Sequence, residues 1–506
     1  MKQKIKWKRF FAFFIIAILL LGGCGRFYLS EKTDVSGNEK AVSLGLTPVF
    51  SYSVPESRPS VLVNQVGYLP DSDKTALFIG KNIPDKFQVI DQKTGKSVYQ
   101  GEIASKGIDK QTKKNVSYGS FSDVRIKGTY YLKCDTVGCS YLFDIGEDTY
   151  DPLLKGLTDK LGKAADVMTG SSSTALEGGL SGKLKNCGNV VIGCETASVL
   201  LLAYELYPGY FNQNLEGTAG GVRVPAVLEQ VRDETNWMFT MQDPSSGGVY
   251  AGITNTGIAA EGSENGELKA GKDIMSSDAT AYYAATMAKF GYLYQQYDST
   301  YATKCLKASV QAWQYLQTQK NVNQMTDQMY YAAAELYRAT GEYGYQRFLQ
   351  QNSQLVTQNT LNEYVFFGDV TYLLTKRRVD TTLCNSFITR LIRDSEEIAE
   401  EAGNNCYQVD EKGNGTNEQN ILWNMLRMAV VDYVITNHEY TSVIEDHVNY
   451  LMGQNSDASC LVPDFGDQLS DDSTKKDAQI VALPQQAELL LLVNALTSEK
   501  DIITGS

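Results

Sequence analysis

The sequence predicts a two-domain protein, in which a small β-sandwich is followed by a larger all-α domain, behind an N-terminal export signal. Three observations support this prediction. Short β-rich runs separated by turn residues fill residues 59–146. From about residue 150 onward, apolar residues recur at helical spacing in long segments. The chain has 506 residues, which is more than one hydrophobic core usually accommodates.

The first 23 residues are expected to form a lipoprotein signal peptide. Basic residues open the chain, and the apolar run Phe10–Leu21 is shorter than the roughly 20 residues of a membrane-spanning helix. The run ends in Leu-Gly-Gly-Cys24, which is similar to a bacterial lipobox, so Cys24 is expected to carry a lipid. This lipid would anchor the protein outside the cytoplasm on the bacterial plasma membrane. The alternatives are an ordinary signal peptide and an uncleaved anchor with an incidental cysteine.

The charge of the chain excludes two classes of main partner. The formal net charge is −13, and the signal peptide carries only basic charges, so the rest of the chain is still more acidic. Nucleic acids and anionic membrane surfaces attract basic patches, so neither is expected to be the main partner. Residues 24–57 are rich in Ser, Lys, Glu and Val without a helical or strand period, which favours a flexible linker.

The cysteines and histidines do not form a recognisable metal motif. The chain has nine cysteines and two histidines but no Cys-x-x-Cys pair, so we expect no zinc site of the usual Cys/His kind and no cofactor. Export permits disulfides. Cys134 and Cys139 flank a predicted hairpin turn and are the first candidate pair for a bridge. Cys187 and Cys194 are a second candidate pair.

Residues 58–147 are predicted to form the β-sandwich, because turn residues separate six short β-rich runs. The predicted strands are Val61–Asn64, Thr75–Ile79, Phe87–Ile90, Ser117–Phe121, Thr129–Lys133 and Ser140–Ile145. The opening stretch, residues 61–70, reads Val-Leu-Val-Asn-Gln-Val-Gly-Tyr-Leu-Pro. It resembles the first strand of the immunoglobulin-like module that precedes the catalytic domain in one branch of glycoside hydrolase family 9.

Residues 148–498 are predicted to form the all-α domain, with roughly a dozen helical segments. Several segments resemble the catalytic domain of the same family, and the match is closest over Asp327–Gly341. The other resembling stretches are residues 200–208, 233–250, 276–285 and 450–455. The resemblance implies an (α/α)6 barrel of the six-hairpin glycosidase kind, a choice that helical periodicity alone does not make.

The resemblance also implies a chemistry whose acidic residues this sequence lacks. The family hydrolyses β-1,4-glucan bonds with inversion, which needs one carboxylate as base and one carboxylic acid as proton donor. The family's Asp-Ala-Gly-Asp base motif falls on residues 182–185, where Gly182 and Lys185 replace the two Asp. The family's acid, the Glu of an Asn-Glu pair, falls on Ile480. No Asp occurs between Asp166 and Asp233, whatever the register. We therefore expect no catalytic residue at the family positions.

Three functions remain open from the sequence. The first is a catalytically inactive relative that binds a β-glucan or another polysaccharide at the cell surface, or serves there as an accessory protein. The second is an active glycoside hydrolase whose acid and base are relocated, because the barrel helices are preserved. The third is an accessory lipoprotein without a sugar site, since residues 455–475 lack the His and Arg that bind sugar hydroxyls in the family.

Aromatic and acidic residues near the predicted barrel loops are the candidates for carbohydrate binding. The chain has 31 Tyr and 18 Phe, and flat rings in sugar clefts pack against pyranose faces. The candidates are Tyr250, Tyr330, Tyr331 and Asp278, with Phe366 and Phe367 as further aromatic residues. The alternative for each aromatic residue is core packing, and for Asp278 it is a helix cap or a solvated position.

Overall fold

The structure is a computed structural model that describes most of the chain. The described residues are 48–110, 112–168, 189–254, 271–272, 274–320, 325–357, 361–413, 415–436, 438–466 and 480–504. The signal peptide, Cys24, Cys187 and the positions Gly182 and Lys185 lie outside these ranges. Within the described part, no helix combines the length and apolar character that crossing a membrane requires.

The N-terminal domain is a β-sandwich of two antiparallel sheets. One sheet has the order β1-β2-β6-β5, and the other has the order β4-β3-β7-β8 with β9 also paired to β7. The strands are β1 Val61–Leu62, β2 Thr75–Gly80, β3 Lys86–Asp91, β4 Ser97–Glu102, β5 Ala104–Ile108, β6 Asn115–Ser120, β7 Gly128–Cys134, β8 Gly138–Cys139 and β9 Phe143–Ile145. Alternate residues of facing strands, such as Phe78 and Val89, fill a common core between the sheets.

The predicted Cys134–Cys139 bridge is not formed in the structure, and both thiols are free. The register of β7 and β8 pairs Lys133 with Cys139 and Cys134 with Gly138. Successive residues of a strand point to opposite faces of a sheet, so the two cysteine side chains lie on opposite faces. Cys134 is accordingly buried and Cys139 half-buried. Cys194, from the second candidate pair, is a free and buried thiol in the α-domain.

The C-terminal domain is an (α/α)6 barrel in which outer and inner helices alternate along the chain. The outer helices are α1 Asp151–Met168, α4 Ala226–Met241, α6 Ser299–Gln317, α8 Tyr343–Gln351, α10 Thr381–Asn404 and α12 Thr441–Leu451. The inner helices are α2 Val190–Leu206, α5 Ser277–Tyr294, α7 Thr326–Thr340, α9 Glu363–Leu374, α11 Asn417–Ile435 and α13 Leu483–Thr504. The short helix α3 spans Pro208–Gln213. The short strands of this domain are β10 Leu215–Ala219, β11 Val222–Pro225, β12 Val249–Tyr250, β13 Ile253–Thr254, β14 Gly271–Lys272 and β15 Met275–Ser276.

The six inner helices close into a ring. Helix α2 packs against α5 and α13, α7 packs against α5 and α9, and α11 packs against α13. Phe366 of α9 meets Trp423 of α11 with 5.1 Å between ring centroids, which completes the circle. The inner helices are buried on nearly all sides, as expected for helices that are apolar all round. The outer helices bury one stripe only, as α6 does with Ala308, Ala312 and Leu316.

The N-termini of the inner helices meet at one end of the barrel, which we call the mouth. Asn362, the N-cap of α9, donates a hydrogen bond to Asp327 in the first turn of α7 over 2.6 Å. Tyr364 donates one to Asp278 in the first turn of α5 over 3.1 Å. Helix α11 begins with a capping box between Thr416 and Gln419, as the Thr-Asn-Glu-Gln sequence there suggests.

The opposite end of the ring is closed by a buried ion-pair network. Arg338 of α7 donates to Glu205 of α2 over 2.5 Å and to Glu335, one turn earlier on α7, over 2.6 Å. Lys289 of α5 lies 3.5 Å from Glu205 and 3.4 Å from Glu335. Thr371 of α9 donates to Glu335 over 2.7 Å. Two cations and two anions thus balance in the barrel interior and join four inner helices.

The sandwich docks on the barrel through two of the stretches that carry the family resemblance. The backbone N–H of Gln65 donates to Met452 over 2.8 Å, and the Asn64 amide donates to Asn449 over 2.9 Å. Gln454 donates to the hydroxyl of Tyr68 over 2.9 Å. These stretches therefore position the two domains and do not line the barrel mouth.

Candidate functional site

A cavity of about 290 Å³ opens among the N-termini of the inner helices at the mouth. Its lining residues come from the first two turns of α2, α9, α11 and α13 and from the segment before α13. They are Ile192, Glu195, Glu363, Gln419, Trp423, Ala482, Pro484, Gln485 and Glu488. The volume is just below the usual range for small-molecule sites, about 300–1,000 Å³.

Three glutamates face this cavity from three different helices. Glu195 lies in the second turn of α2, Glu363 is the first residue of α9, and Glu488 lies in the second turn of α13. All three are half-buried. Tyr282 of α5 donates a hydrogen bond of 2.5 Å to Glu363. Glu195 and Glu488 have no hydrogen bond to any residue that the structure describes.

Burial and repulsion from neighbouring carboxylates raise the pKa of all three carboxyl groups. Burial is the largest cause for each of them, since it disfavours the charged form. The charge of Glu363 raises the pKa of Glu195 further, and both of these charges raise the pKa of Glu488. The hydrogen bond from Tyr282 acts in the opposite direction on Glu363. Each of these shifts favours the protonated form of the carboxyl group over the ionised form.

A second and larger cavity of about 750 Å³ continues from the first, because Glu363, Gln419 and Trp423 line both. Its wall on α10 and α11 carries Arg390 and Arg427. Each of these arginines lies 3.3 Å from Asp394, so both form ion pairs with a carboxylate of the same wall. The two cavities share this part of their lining, and they differ in charge balance: the larger one has cationic side chains beside its acidic residues, whereas the charged residues in the described lining of the smaller one are all acidic.

The position expected for the family's acid is occupied by an apolar core residue. Ile480 precedes α13 and is 0 % exposed. Its backbone N–H donates to the carbonyl of Leu461 over 3.0 Å. An alkyl side chain in this position can neither donate nor accept a proton. The expected base positions, Gly182 and Lys185, lie outside the described residues.

The structure separates the carbohydrate-binding candidates into two pairs. Asp278 is half-buried at the mouth and accepts the hydrogen bond from Tyr364, and Tyr250 is half-buried on β12. The prediction for Tyr330 and Tyr331 is wrong, because both are completely buried. Tyr330 donates to Asp369 over 2.7 Å inside the barrel.

The buried tyrosines and the neighbouring phenylalanines pack against one another in the barrel core. The ring of Tyr331 stacks on Phe367 at 5.4 Å, and Phe366 packs against Trp423. These rings fill the interior of the inner ring, where no sugar face can reach them. The aromatic residue that does line the cavity, Trp423, is half-buried on α11.

Sequence reasoning missed Glu195, Glu363 and Glu488, although two of them carried a signal. Glu488 is the only charged residue between Asp477 and Glu499, and Glu195 shares its apolar helix with one other charged residue, Glu205. A lone charge in a helix that is apolar all round is rarely accidental, since such residues are almost never buried without a partner.

Among the described residues, no group of three His, Cys, Asp or Glu side chains is placed to hold a metal ion.

Comparisons with known proteins agree with this architecture. A family model described as glycosyl hydrolase family 9 matches residues 189–505, and one described as cellulase N-terminal ig-like domain matches residues 56–139. The predicted fold class and the resemblance drawn from the sequence are therefore confirmed.

Several relatives extend over both domains. Endoglucanase D of Acetivibrio thermocellus is 24% identical over 493 residues, covering 82% of this chain and 73% of that protein. A cellodextrinase of Butyrivibrio fibrisolvens is 24% identical, covering 78% of this chain and 83% of that protein.

Solved structures of similar proteins share the fold at low identity. A glycoside hydrolase family 9 protein of Bacteroides ovatus superposes with a TM-score of 0.69 at 18% identity, over 87% of this chain and 99% of that chain. A thermostable endoglucanase from Alicyclobacillus acidocaldarius does so with a TM-score of 0.66 at 18% identity, over 88% of this chain and 100% of that chain.

Proposed function

Since this chain belongs to glycosyl hydrolase family 9, we propose that it is a glycan-binding member of the family that does not hydrolyse β-1,4-glucans with the family's acid and base. The observation that carries this proposal is Ile480, a buried alkyl side chain at the position expected for the proton donor. The cavity at the mouth, with Trp423 and Gln485 in its wall, is the site proposed for the glycan. Relatives named endoglucanase and cellodextrinase support a β-glucan or a related polysaccharide as the ligand class.

The first test measures turnover. The purified chain is incubated with a soluble β-1,4-glucan, and new reducing ends are counted. We expect no release above the buffer control, because the loss of either a general acid or a general base costs about 10²–10⁴ in rate and this chain lacks the family's acid. Clear turnover by the purified protein would overturn the proposal.

A second candidate function is hydrolysis by relocated carboxylates. The observation that favours it is the convergence of Glu195, Glu363 and Glu488 on one cavity, with raised pKa values that would keep one of them protonated as a general acid. If turnover is seen, Glu363→Gln and Glu488→Gln should each lower it by about 10²–10⁴. Glu396→Gln is the matched control, because Glu396 is exposed on α10 and does not line this cavity.

The proposed location is the outer face of the bacterial plasma membrane, through a lipid on Cys24. We expect Cys24→Ser to move the protein from the membrane fraction to the soluble fraction, since the thiol that carries the lipid is removed. Cell fractionation and incorporation of labelled fatty acid are the measurements. A variant that stays in the membrane fraction, or a wild type that takes up no label, would contradict the anchor.

A further inference from the structure

The smaller cavity at the mouth has an excess of negative charge and no cationic side chain in its described lining. Three of its lining residues are Glu195, Glu363 and Glu488, and none of the described lining residues is Lys, Arg or His. Within the described residues, Tyr282 gives Glu363 a hydrogen bond, while Glu195 and Glu488 receive none. Carboxylates withdrawn from water without donors are unfavourable, so the cavity is complementary to a ligand that brings positive charge and donors.

An independent observation concerns Gln485 at the start of α13. Its side chain is 8 % exposed and lines the cavity, yet it has no hydrogen bond to any described residue. The described residues leave this amide without a hydrogen-bond partner, and a ligand with hydroxyl groups could supply both a donor and an acceptor. The half-buried indole of Trp423 lies in the same wall and offers a flat apolar surface. The cavity therefore combines carboxylates that could bind a cation, an amide that could bind hydroxyl groups and an indole that could pack against a sugar ring.

The positive charge that fits is an ammonium group rather than a metal ion. No group of three acidic, His or Cys side chains among the described residues is placed closely enough to hold a metal. An ammonium group has three donors that point in different directions and can reach carboxylates that are spread around a cavity. The larger cavity beyond Glu363 and Trp423 leaves room for the rest of an oligosaccharide.

We propose that the mouth cavity binds an amino-sugar unit of a glycan. Its protonated amine would lie among Glu195, Glu363 and Glu488, its ring against Trp423, and its hydroxyls against Gln485. This inference rests on the proposed function, because it assigns a ligand class to the same glycan-binding cavity.

Ligand binding should release protons if this assignment is right. Burial raises the pKa of all three glutamates, the charge of Glu363 raises that of Glu195 and Glu488 further, and the charge of Asp278 raises that of Glu363. The hydroxyl of Tyr282 and that of Tyr364, which is hydrogen-bonded to Asp278, are the other titratable groups beside them. An ammonium group favours the ionised carboxylates, so its binding displaces protons from them. A neutral sugar would not do so.

The experiment is isothermal titration calorimetry of the purified full chain at pH 7 with three oligosaccharides of equal length. One is a β-1,4-linked glucosamine oligomer, the second its N-acetylated form, and the third a cello-oligosaccharide. We expect the amine to bind at least about tenfold more tightly than the other two, with proton release seen as a dependence of the heat on the buffer. Glu195→Gln and Glu488→Gln should each weaken amine binding about tenfold, as expected for a charge contact of a few ångström near a surface.

The controls separate this inference from the proposed function. Glu396→Gln makes the same charge change on exposed α10 and should leave binding unchanged. Binding of the cello-oligosaccharide at least as tightly as the amine would overturn the amino-sugar assignment and leave the proposed function in place. Binding of none of the three would overturn both. Amine binding that neither Glu→Gln variant weakens, or equally tight binding of a lysine oligomer, would also overturn the assignment, because only overall charge would then be recognised.

Discussion

Replacing Arg338 with methionine is expected to lower the free energy of unfolding by about 3–5 kcal/mol, the usual cost of removing one partner from a buried ion pair. The guanidinium is 1 % exposed, forms ion pairs with Glu205 and Glu335, and lies over the ring of Tyr292 at 4.6 Å. Without it, two buried carboxylates would share only Lys289. Urea unfolding of the wild type and of Arg338→Met measures the difference.

Two comparisons make this prediction specific. Arg347→Met removes an exposed arginine from α8 and should change stability by less than about 0.5 kcal/mol. The double variant Glu205→Gln/Arg338→Met should recover part of the loss, because one unpaired charge is removed together with its partner. A loss below 1 kcal/mol for Arg338→Met alone would mean that the network does not hold the closed end of the barrel together.

The second large effect is expected at Glu234, a buried carboxyl group on α4. The side chain is 7 % exposed, and its Oε1 has no hydrogen bond in the described part of the chain. Burial raises its pKa from the ordinary 4.5 to about 8. A difference of this size corresponds to about 5 kcal/mol between the protonated and ionised forms in the folded protein.

The sign of the pH effect follows from proton binding. Between pH 4.5 and about 8, the folded state keeps a proton on Glu234 that the unfolded state has released. Stability contributed by this group is therefore present below pH 4.5 and falls as pH rises, by about 1.4 kcal/mol per unit, until about pH 8. Glu234→Gln, which carries no charge, should match the wild type near pH 5 and be the more stable protein at pH 8.

Urea midpoints measured from pH 5 to pH 9 test this difference. Glu396→Gln is again a suitable control, because an exposed carboxyl should give no such slope. Parallel pH profiles for the wild type and Glu234→Gln would show that Glu234 ionises at an ordinary pKa and is not the source of a penalty.

The architecture could be predicted from the sequence because each element carries a local pattern. The apolar residues of α6 and the Thr416 cap of α11 are visible as spacing and as residue type. Glu234 also breaks a visible stripe, because Val227, Val231 and Met238 lie three to seven residues from it on the same helix face. Such patterns are local, so a single sequence contains them.

The site could not be predicted in the same way, because its members are distant in the chain. Glu195 and Glu488 are isolated charges in their helices, and only the closure of the inner ring places them on one cavity. The prediction for Tyr330 and Tyr331 is wrong because both side chains face the barrel interior. Their position next to a loop in the sequence does not show which side of the helix is buried. Ile480 was found by counting from a matched segment, which depends on the family and not on a physical pattern.

The parallel inner helices also give the barrel an electrical axis. Each helix places a partial positive charge at its N-terminus and a partial negative charge at its C-terminus, an effect confined largely to the terminal turns. Acidic side chains occupy the first turn of α5, α7, α9 and α11, so the positive pole carries compensating charges. At the negative pole, Arg338 and Lys289 are balanced by Glu205 and Glu335. Glu195 and Glu488 lie in the second turns of α2 and α13, one turn beyond the helix ends where the positive partial charge would stabilise them. Burial raises the pKa of both carboxyl groups, so the mouth of the barrel can exchange protons for cations as a weak-acid ion-exchange resin does.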